Sequence, residues 1–442
     1  MSSFKHLGIV VCLLCTALPA HAEKPNDNRT ANDDSRSNGS MQQTDSGYTK
    51  EWGGKNIHEW IRDLRFHSDP TCRVEAILAI PNFKQAADAV PEMLKQLKSD
   101  GDASVRVKAA QLMRLMPHHK VDRTRIITGL AYSLHHDPQS IIRYEAAVSL
   151  QSYCPLDFSN KDEVGVLQDL VAGLNQTTTY ELREACVLAL MSAGVDPKTG
   201  PDPKVTDALI TRANPTYEAA TRVRVQAIVA LGVQGRPQDK NKFDKVMGVL
   251  TMAANYNSRT NPIVRIWAHV SVIALQVQQK DNKKELDTIA EYLTHKEAVN
   301  RREAVRALGA LEEKSQAYVD NILTLLKRED IPAVKEEAAM ALGRMKNTGA
   351  RVIGALVRLS EEDKPESWPI VRNVCLAFLM LGVNNGEVMK ALDKVVEHKS
   401  LQKYQKDWVK KVIEEIQNPR KKAKDAPKNS EKAIAPKKDK KR

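Results

Sequence analysis

The chain has 442 residues, of which 42% are hydrophobic, 28% charged and only 5% aromatic, with a formal net charge of +12. That balance excludes collagen, a small disulfide-stapled domain and wholesale disorder. The length is too great for one compact core, which leaves several domains or an elongated repeat array. Scarce aromatics favour helices packed through Ala, Leu and Val over a β-sandwich.

Residues 1–22 have the three parts of a secretory signal: cationic Lys5 and His6, an apolar run from Leu7 to Leu18, and a small-x-small site at Ala20-His21-Ala22. The apolar run is shorter than the roughly 20 residues a membrane span needs. We therefore expect cleavage and a secreted or periplasmic protein, with an uncleaved anchor as the alternative. A lipoprotein is disfavoured, because Cys15 follows Leu14 where a small residue is required. Residues 23–50 are mostly Asn, Asp, Ser, Thr, Gln and Gly, and cannot bury enough apolar surface to offset their ordering entropy. They are expected to be a disordered linker.

From residue 51 to 418 the sequence repeats itself. A basic residue recurs at Arg73, Arg106, Arg143, Arg183, Arg224, Arg265, Arg301, Lys335 and Arg372, at intervals of 33 to 41 residues. Three residues after each anchor stands a small residue: Ala76, Ala109, Ala146, Cys186, Ala227, Ala268, Ala304, Ala338 and Cys375. Seven after it stands Ile, Met, Leu or Val, and the residue before it is apolar in all units except Asn300. Offsets −1, +3, +4 and +7 trace one face of a helix, so each anchor opens an amphipathic helix. The small +3 residue lets a neighbouring helix approach where Leu would overpack. Turn signals precede the anchors, among them Asp69-Pro70, Asp137-Pro138, Asn261-Pro262, Pro332 and Pro369. Before each turn runs another apolar-periodic stretch, from Ile57–Leu64 in the first unit to Val352–Leu359 in the ninth. Each unit therefore reads as helix, turn, helix. Val388–Val395 and Trp408–Ile416 lack the anchor pattern and are expected to cap the stack.

Units such as DASVRVKAAQLM, TRVRVQAIVALG and NRREAVRALG resemble HEAT repeats, and the opening GKNIHEWIRDLR looks like the first unit of secreted bacterial HEAT-repeat proteins. The resemblance covers about residues 53–416. It implies an all-α fold, an α-solenoid of about nine helix-turn-helix repeats, with first helices convex and second helices lining a concave side. It also implies a ladder formed by the anchor arginines with turn aspartates, here Asp69, Asp102 and Asp137. The repeat is a packing solution shared by unrelated activities, so it speaks to fold more than to function.

Chemistry-bearing residues are sparse. Of six cysteines, Cys12 and Cys15 belong to the leader, while Cys186, Cys375 and Cys72 occupy core slots and read as buried small hydrophobes. Cys154 is ambiguous, and a bridge from it to Cys186 is disfavoured because the two lie at different heights on their helices. No CxxC spacing exists in the mature chain. The doublets His118-His119 and His135-His136 read as polar loops, since adjacent residues diverge instead of converging on a metal. His269 falls in the apolar +4 column and reads as a core histidine. HEAT-fold hydroxylases that bind iron carry several His-Glu pairs, whereas this chain has only His58-Glu59. No glycine-rich phosphate loop or G-x-S-x-G elbow is present. No catalytic residue, cofactor, metal or small-molecule substrate is expected.

What remains is recognition surface. Helical geometry places the +2 column well away from the buried stripe, and there Gln226 and Trp267 stand on neighbouring units. Trp267 is a binding anchor if exposed, and a covered residue if the long loops of the middle units fold over it. Arg302 and Arg306, with Arg301 beside Glu303, are a second candidate contact patch, and equally the pattern of a solvated, salt-bridged face. Residues 419–442 carry eleven basic residues against Asp425, Glu431 and Asp439, so this stretch holds +8 of the +12. It is expected to be a disordered tail whose Lys421, Lys422, Lys424, Lys437, Lys438, Lys440 and Lys441 either contact an anionic polymer or membrane surface or simply keep the chain soluble. The leading expectation is a non-catalytic scaffold of the envelope or exterior, seating a protein or extended peptide in a concave groove. A nucleic-acid- or acidic-polymer-binding role through the tail is the alternative, followed by an enzyme resembling HEAT-type phycobilin lyases.

Overall fold

The computed structural model describes residues 49–116, 123–175, 179–255, 261–276, 281–364 and 367–418. The leader, nearly all of the linker, the basic tail and the His118-His119 doublet lie outside them. The described residues form helices joined by turns, with isolated bridges such as Thr49 to Phe83 as their only extended pairings. They fall into two compact units that divide between Asn282 and Lys283.

The first unit holds six helical hairpins: α1 (Ile57–Phe66) with α2 (Pro70–Ala79), α3 (Val90–Ser99) with α4 (Ala103–Met113), α5 (Arg123–His136) with α6 (Ser140–Gln151), α7 (Lys161–Asn175) with α8 (Tyr180–Ala193), α9 (Pro203–Ala213) with α10 (Thr221–Gln234), and α11 (Lys240–Ala254) with α12 (Pro262–Leu275). The second holds four: α13 (Lys283–Glu291) with α14 (Ala298–Ala310), α15 (Val319–Leu326) with α16 (Pro332–Arg344), α17 (Ala350–Ser360) with α18 (Trp368–Leu381), and α19 (Gly386–Glu397) with α20 (Lys403–Gln417). Within each unit, second helices pack on the second helices before and after them, and first helices do the same in a separate layer. This is an α-solenoid, as the periodicity requires.

The helix starts follow from local chemistry. Asp69, Asp102 and Asp202 accept backbone N–H bonds at the starts of α2, α4 and α9, and Asn261 does so for α12. Proline follows the cap in α2, α9 and α12, where its missing N–H costs nothing. Asn56 and Glu59 form a capping box on α1, which fixes Glu59 in a structural role.

All nine +3 residues, Ala76 to Cys375, are fully buried. The layer of second helices is tight enough to demand glycine. A Cβ on Gly309 of α14 would lie 2.8 Å from Ala341 Cα in α16, and one on Gly343 of α16 would lie 2.7 Å from Ala377 Cα in α18. Polar side chains also tie this layer together. Ser149 Oγ donates to Ala110 O across α6 and α4 at 2.6 Å, and Ser271 Oγ to Ile228 O across α12 and α10 at 2.9 Å. Both serines stand six residues after their anchor and meet the carbonyl four residues after the previous one. At the −1 position, Asn300 is buried with its amide donating to Glu297 Oε2. Cys72, expected to be buried there, is only half-buried, because α2 has no earlier second helix to cover it.

An arginine–carboxylate ladder runs along the turns, but with partners other than those implied by the resemblance. Arg73 pairs with Asp100, Arg106 with Asp137, Arg183 with Glu218, Arg301 with Glu329 and Lys335 with Glu362, each reaching the turn of the following hairpin at 2.7–2.8 Å. Asp69 and Asp102 are helix caps, and only Asp137 of the three expected aspartates is a rung. The rung acid recurs six residues before the next anchor at Asp100, Asp137, Glu218 and Glu329. Each also accepts the amide two residues on, from Asp102, Gln139, Ala220 and Ile331. One carboxylate thus closes its own turn and receives the preceding hairpin. His67 and His295 hold this position before Arg73 and Arg301, the first anchors of the two units, where their rings accept the amide two residues on.

Candidate functional site

The expected exposure of the +2 column is corrected by the structure. Trp267 is 2% exposed and Gln226 7%. A second helix inside a stack is covered on both flanks by other second helices and behind by its own first helix. Three of its faces are therefore buried, and the +2 position lies on a flank. Trp267 lies on such a flank of α12, between neighbouring helices. Gln226 and Trp267 lie in α10 and α12 of the first unit, whereas Arg302 and Arg306 lie on α14 of the second. The four expected contact residues are thus divided between the two units, two in each.

The face left open carries offsets +1, +5 and +9, at about 100°, 140° and 180° around the helix from the anchor. In the first unit it is largely apolar. Val74 and Leu78 of α2, Val107 of α4, Tyr144 and Val148 of α6, Leu188 of α8, Val225 and Val233 of α10 and Val270 of α12 are half-buried or exposed. Leu78 and Leu115 reach 48% and 58% exposure. Gln111 and Glu184 interrupt the apolar row, as do Asn82, Ser152 and Ser192 at +9, while Val229 at +5 and Ile266 at +1 are buried. Gln111 donates to Glu145 at 2.9 Å and Glu184 pairs with Arg222 at 3.2 Å. Burial raises the Glu184 carboxyl above its usual range against the pull of Arg222. Burial, helped by Glu145 and Glu184, also raises the Tyr144 phenol. Valine recurs in this row and was legible in the sequence. It is missed by treating each helix singly, because only the stack decides which face stays open.

In the second unit the same face is charged. Arg302 bonds Glu303 at 3.1 Å and is half-exposed; Arg306 is buried. On the next second helix, Arg344 lies 3.7 Å from Glu337. Burial pushes the Glu337 carboxyl up, against Arg306 and Arg344, and pushes the Arg344 guanidinium down, against Glu337. Asn373 of α18 donates to Glu336 O at 3.2 Å. The basic patch expected around Arg302 and Arg306 is thus part of a paired, mixed-charge layer spanning α14, α16 and α18.

The remaining chemistry is inert or local. The Cys186 and Cys375 thiols are fully buried and pushed up to about 12 by that burial. His269 is buried in α12. His135 lies 3.4 Å from Asp169 at the end of α5, its ring tilted against that of His136. Among the described residues, no three His, Cys, Asp or Glu side chains converge as a metal site, and no helix is long and apolar enough to cross a membrane.

The family comparison falls on the second unit. Residues 286–377, from α13 to α18, match the family model described as HEAT repeats. These are HEAT repeats. No curated protein matches the sequence. The anchors, +3 residues and ladder of the matched HEAT hairpins recur in α1 to α12, so the first unit follows the HEAT pattern beyond the matched span. A HEAT solenoid is a helical scaffold of a kind that typically mediates protein interactions.

Proposed function

We propose that this chain is a non-catalytic protein-binding scaffold of the cell envelope or exterior, seating an extended segment of a partner along the second helices of the first unit. The observation that carries the reading is the row of half-buried aliphatic side chains from Val74 to Val270, with Leu78 and Leu115 exposed, on helices whose other faces are packed. Apolar side chains left at a surface in a row mark interaction sites, and regular spacing from one second helix to the next suits an extended chain. The sequence of residues 1–22 supports export, and the lysines of 419–442 support a contact with anionic lipid or polymer that retains the scaffold near a surface.

A double substitution, Val148→Asp with Leu188→Asp, tests the groove. It is expected to remove the partner complex from native gels of the envelope fraction while circular dichroism keeps its helical signal. An unaltered complex would place the partner elsewhere. Sequencing the exported protein is expected to give Glu23 as its first residue, and an intact leader would overturn the envelope reading. Deleting 419–442 is expected to abolish binding to anionic vesicles at low salt without affecting the native-gel complex. Equal vesicle binding would remove the tail from the proposal.

A further inference from the structure

The first helices of the second unit leave a cleft that the second-helix reading does not use. It lies between α15 and α17, on the other layer of the hairpins. Leu323, Leu326, Ala355 and Leu359 form apolar walls around a volume of about 430 Å³, and Gly354 lies at its floor. A second pocket of about 320 Å³ adjoins it along the same two helices, sharing Leu323, Ala350 and Arg351. On its other flank α17 packs more extensively on α19 than it does on α15.

Two features characterise this gap. First, the glycines of other first helices fall into two sets: Gly165, Gly248 and Gly386 face open space, whereas Gly129 and Gly173 are met by a neighbour. A Cβ on Gly129 of α5 would meet Leu94 at 2.6 Å, and one on Gly173 of α7 would meet Leu134 at 3.1 Å. At Gly354 the nearest atom is the Arg358 guanidinium at 3.8 Å, with no neighbouring helix in contact. Glycine inside a helix is unfavourable relative to alanine, and no intramolecular contact offsets that here. Second, the rim is cationic. Lys327, Lys335, Arg351 and Arg358 line it. Glu362 takes Lys335 and Asp320 takes Arg351. Among the described residues, Lys327 and Arg358 have no ion pair, and both are exposed.

We propose that this cleft receives an acidic amphipathic helix of a partner protein, its apolar face against Leu323, Leu326 and Leu359 and its carboxylates on Lys327 and Arg358. An apolar floor between two uncompensated cations is complementary to carboxylates flanking an apolar ridge, the arrangement of helix-in-groove recognition. The proposal is independent of the second-helix groove, because no residue is shared between them.

The test uses the full chain and a labelled amphipathic peptide with leucine on one face flanked by glutamate, beside the same peptide with glutamine for glutamate. Gly354→Leu fills the cleft while improving helix propensity, so the fold survives by thermal unfolding. It is expected to weaken the glutamate peptide by about tenfold or more, as is Lys327→Glu with Arg358→Glu. The wild type is expected to bind the glutamine peptide weakly and to lose the glutamate peptide as salt rises. Absent binding, equal binding of the two peptides, or indifference to Gly354→Leu would overturn the proposal. So would a self-association lost on Gly354→Leu, which would make a second copy of this chain the occupant.

Discussion

At Arg183 the guanidinium makes two hydrogen bonds to Glu218, whose side chain is wholly buried and which also receives Arg212 at 3.5 Å. Burial alone would raise the Glu218 carboxyl, but the Arg183 hydrogen bond, the Ala220 amide and the charges of Arg183 and Arg212 outweigh it and hold it below the ordinary range. Glu329 is lowered in the same way by Arg301 and the Ile331 amide. A carboxyl lowered in the folded state contributes stability that is present above its unfolded value, about 4.3, and is lost as pH falls through the folded value. Arg183→Ala strands a buried carboxylate and is expected to cost about 3 kcal/mol at neutral pH, with the gap from wild type narrowing between about pH 5 and pH 3 in thermal unfolding. A gap constant with pH would mean that the pair contributes packing alone. Trp267, read from sequence as a candidate contact, is core. Trp267→Ala is expected to lower the melting temperature through a loss of about 3–5 kcal/mol while the surviving folded fraction still captures its partner. Selective loss of capture with unchanged melting would restore the surface reading.

The hairpin was legible element by element, because period, cap chemistry and the small +3 slot each report a local constraint that the whole stack obeys. The rung acids and the open face were not. Asp69 and Asp102 resemble ladder residues in sequence, and only the register between hairpins shows that Asp100 is the one that meets Arg73. Likewise, a +2 residue looks solvent-facing on an isolated helix and becomes a flank when helices stack on both sides. The same register makes glycines unequal. Gly343→Ala improves helix propensity yet drives a methyl against the Ala377 backbone, and it is expected to destabilise by about 1–3 kcal/mol. Gly354→Ala meets only a movable guanidinium and is expected to stabilise by up to about 1 kcal/mol. Denaturant midpoints decide the matter, and stabilisation by both would mean that the second helices are packed less closely than described.

Across the molecule, one repeat is used for two kinds of surface. The first unit leaves aliphatic side chains partly open on its second helices, while the second unit places Arg302, Arg306, Glu336, Arg344 and Asn373 among the same offsets, with Glu303 and Glu337 beside them at +2. The apolar spine is common to both, so the difference lies in surface and not in folding, and a scaffold whose spine is satisfied internally can vary its outer columns freely. Net charge follows the same logic: most of it lies in 419–442, which leaves the helical hairpins near neutrality. Site-specific photo-crosslinking in living cells asks whether the partner lies along the second helices of the first unit, with a photoreactive side chain placed at Val148 or Leu188 on second helices and at the exposed Lys245 on α11. Partner adducts are expected from Val148 and Leu188 and none from Lys245. Adducts from Lys245 alone, or equal adducts from all three, would contradict that placement.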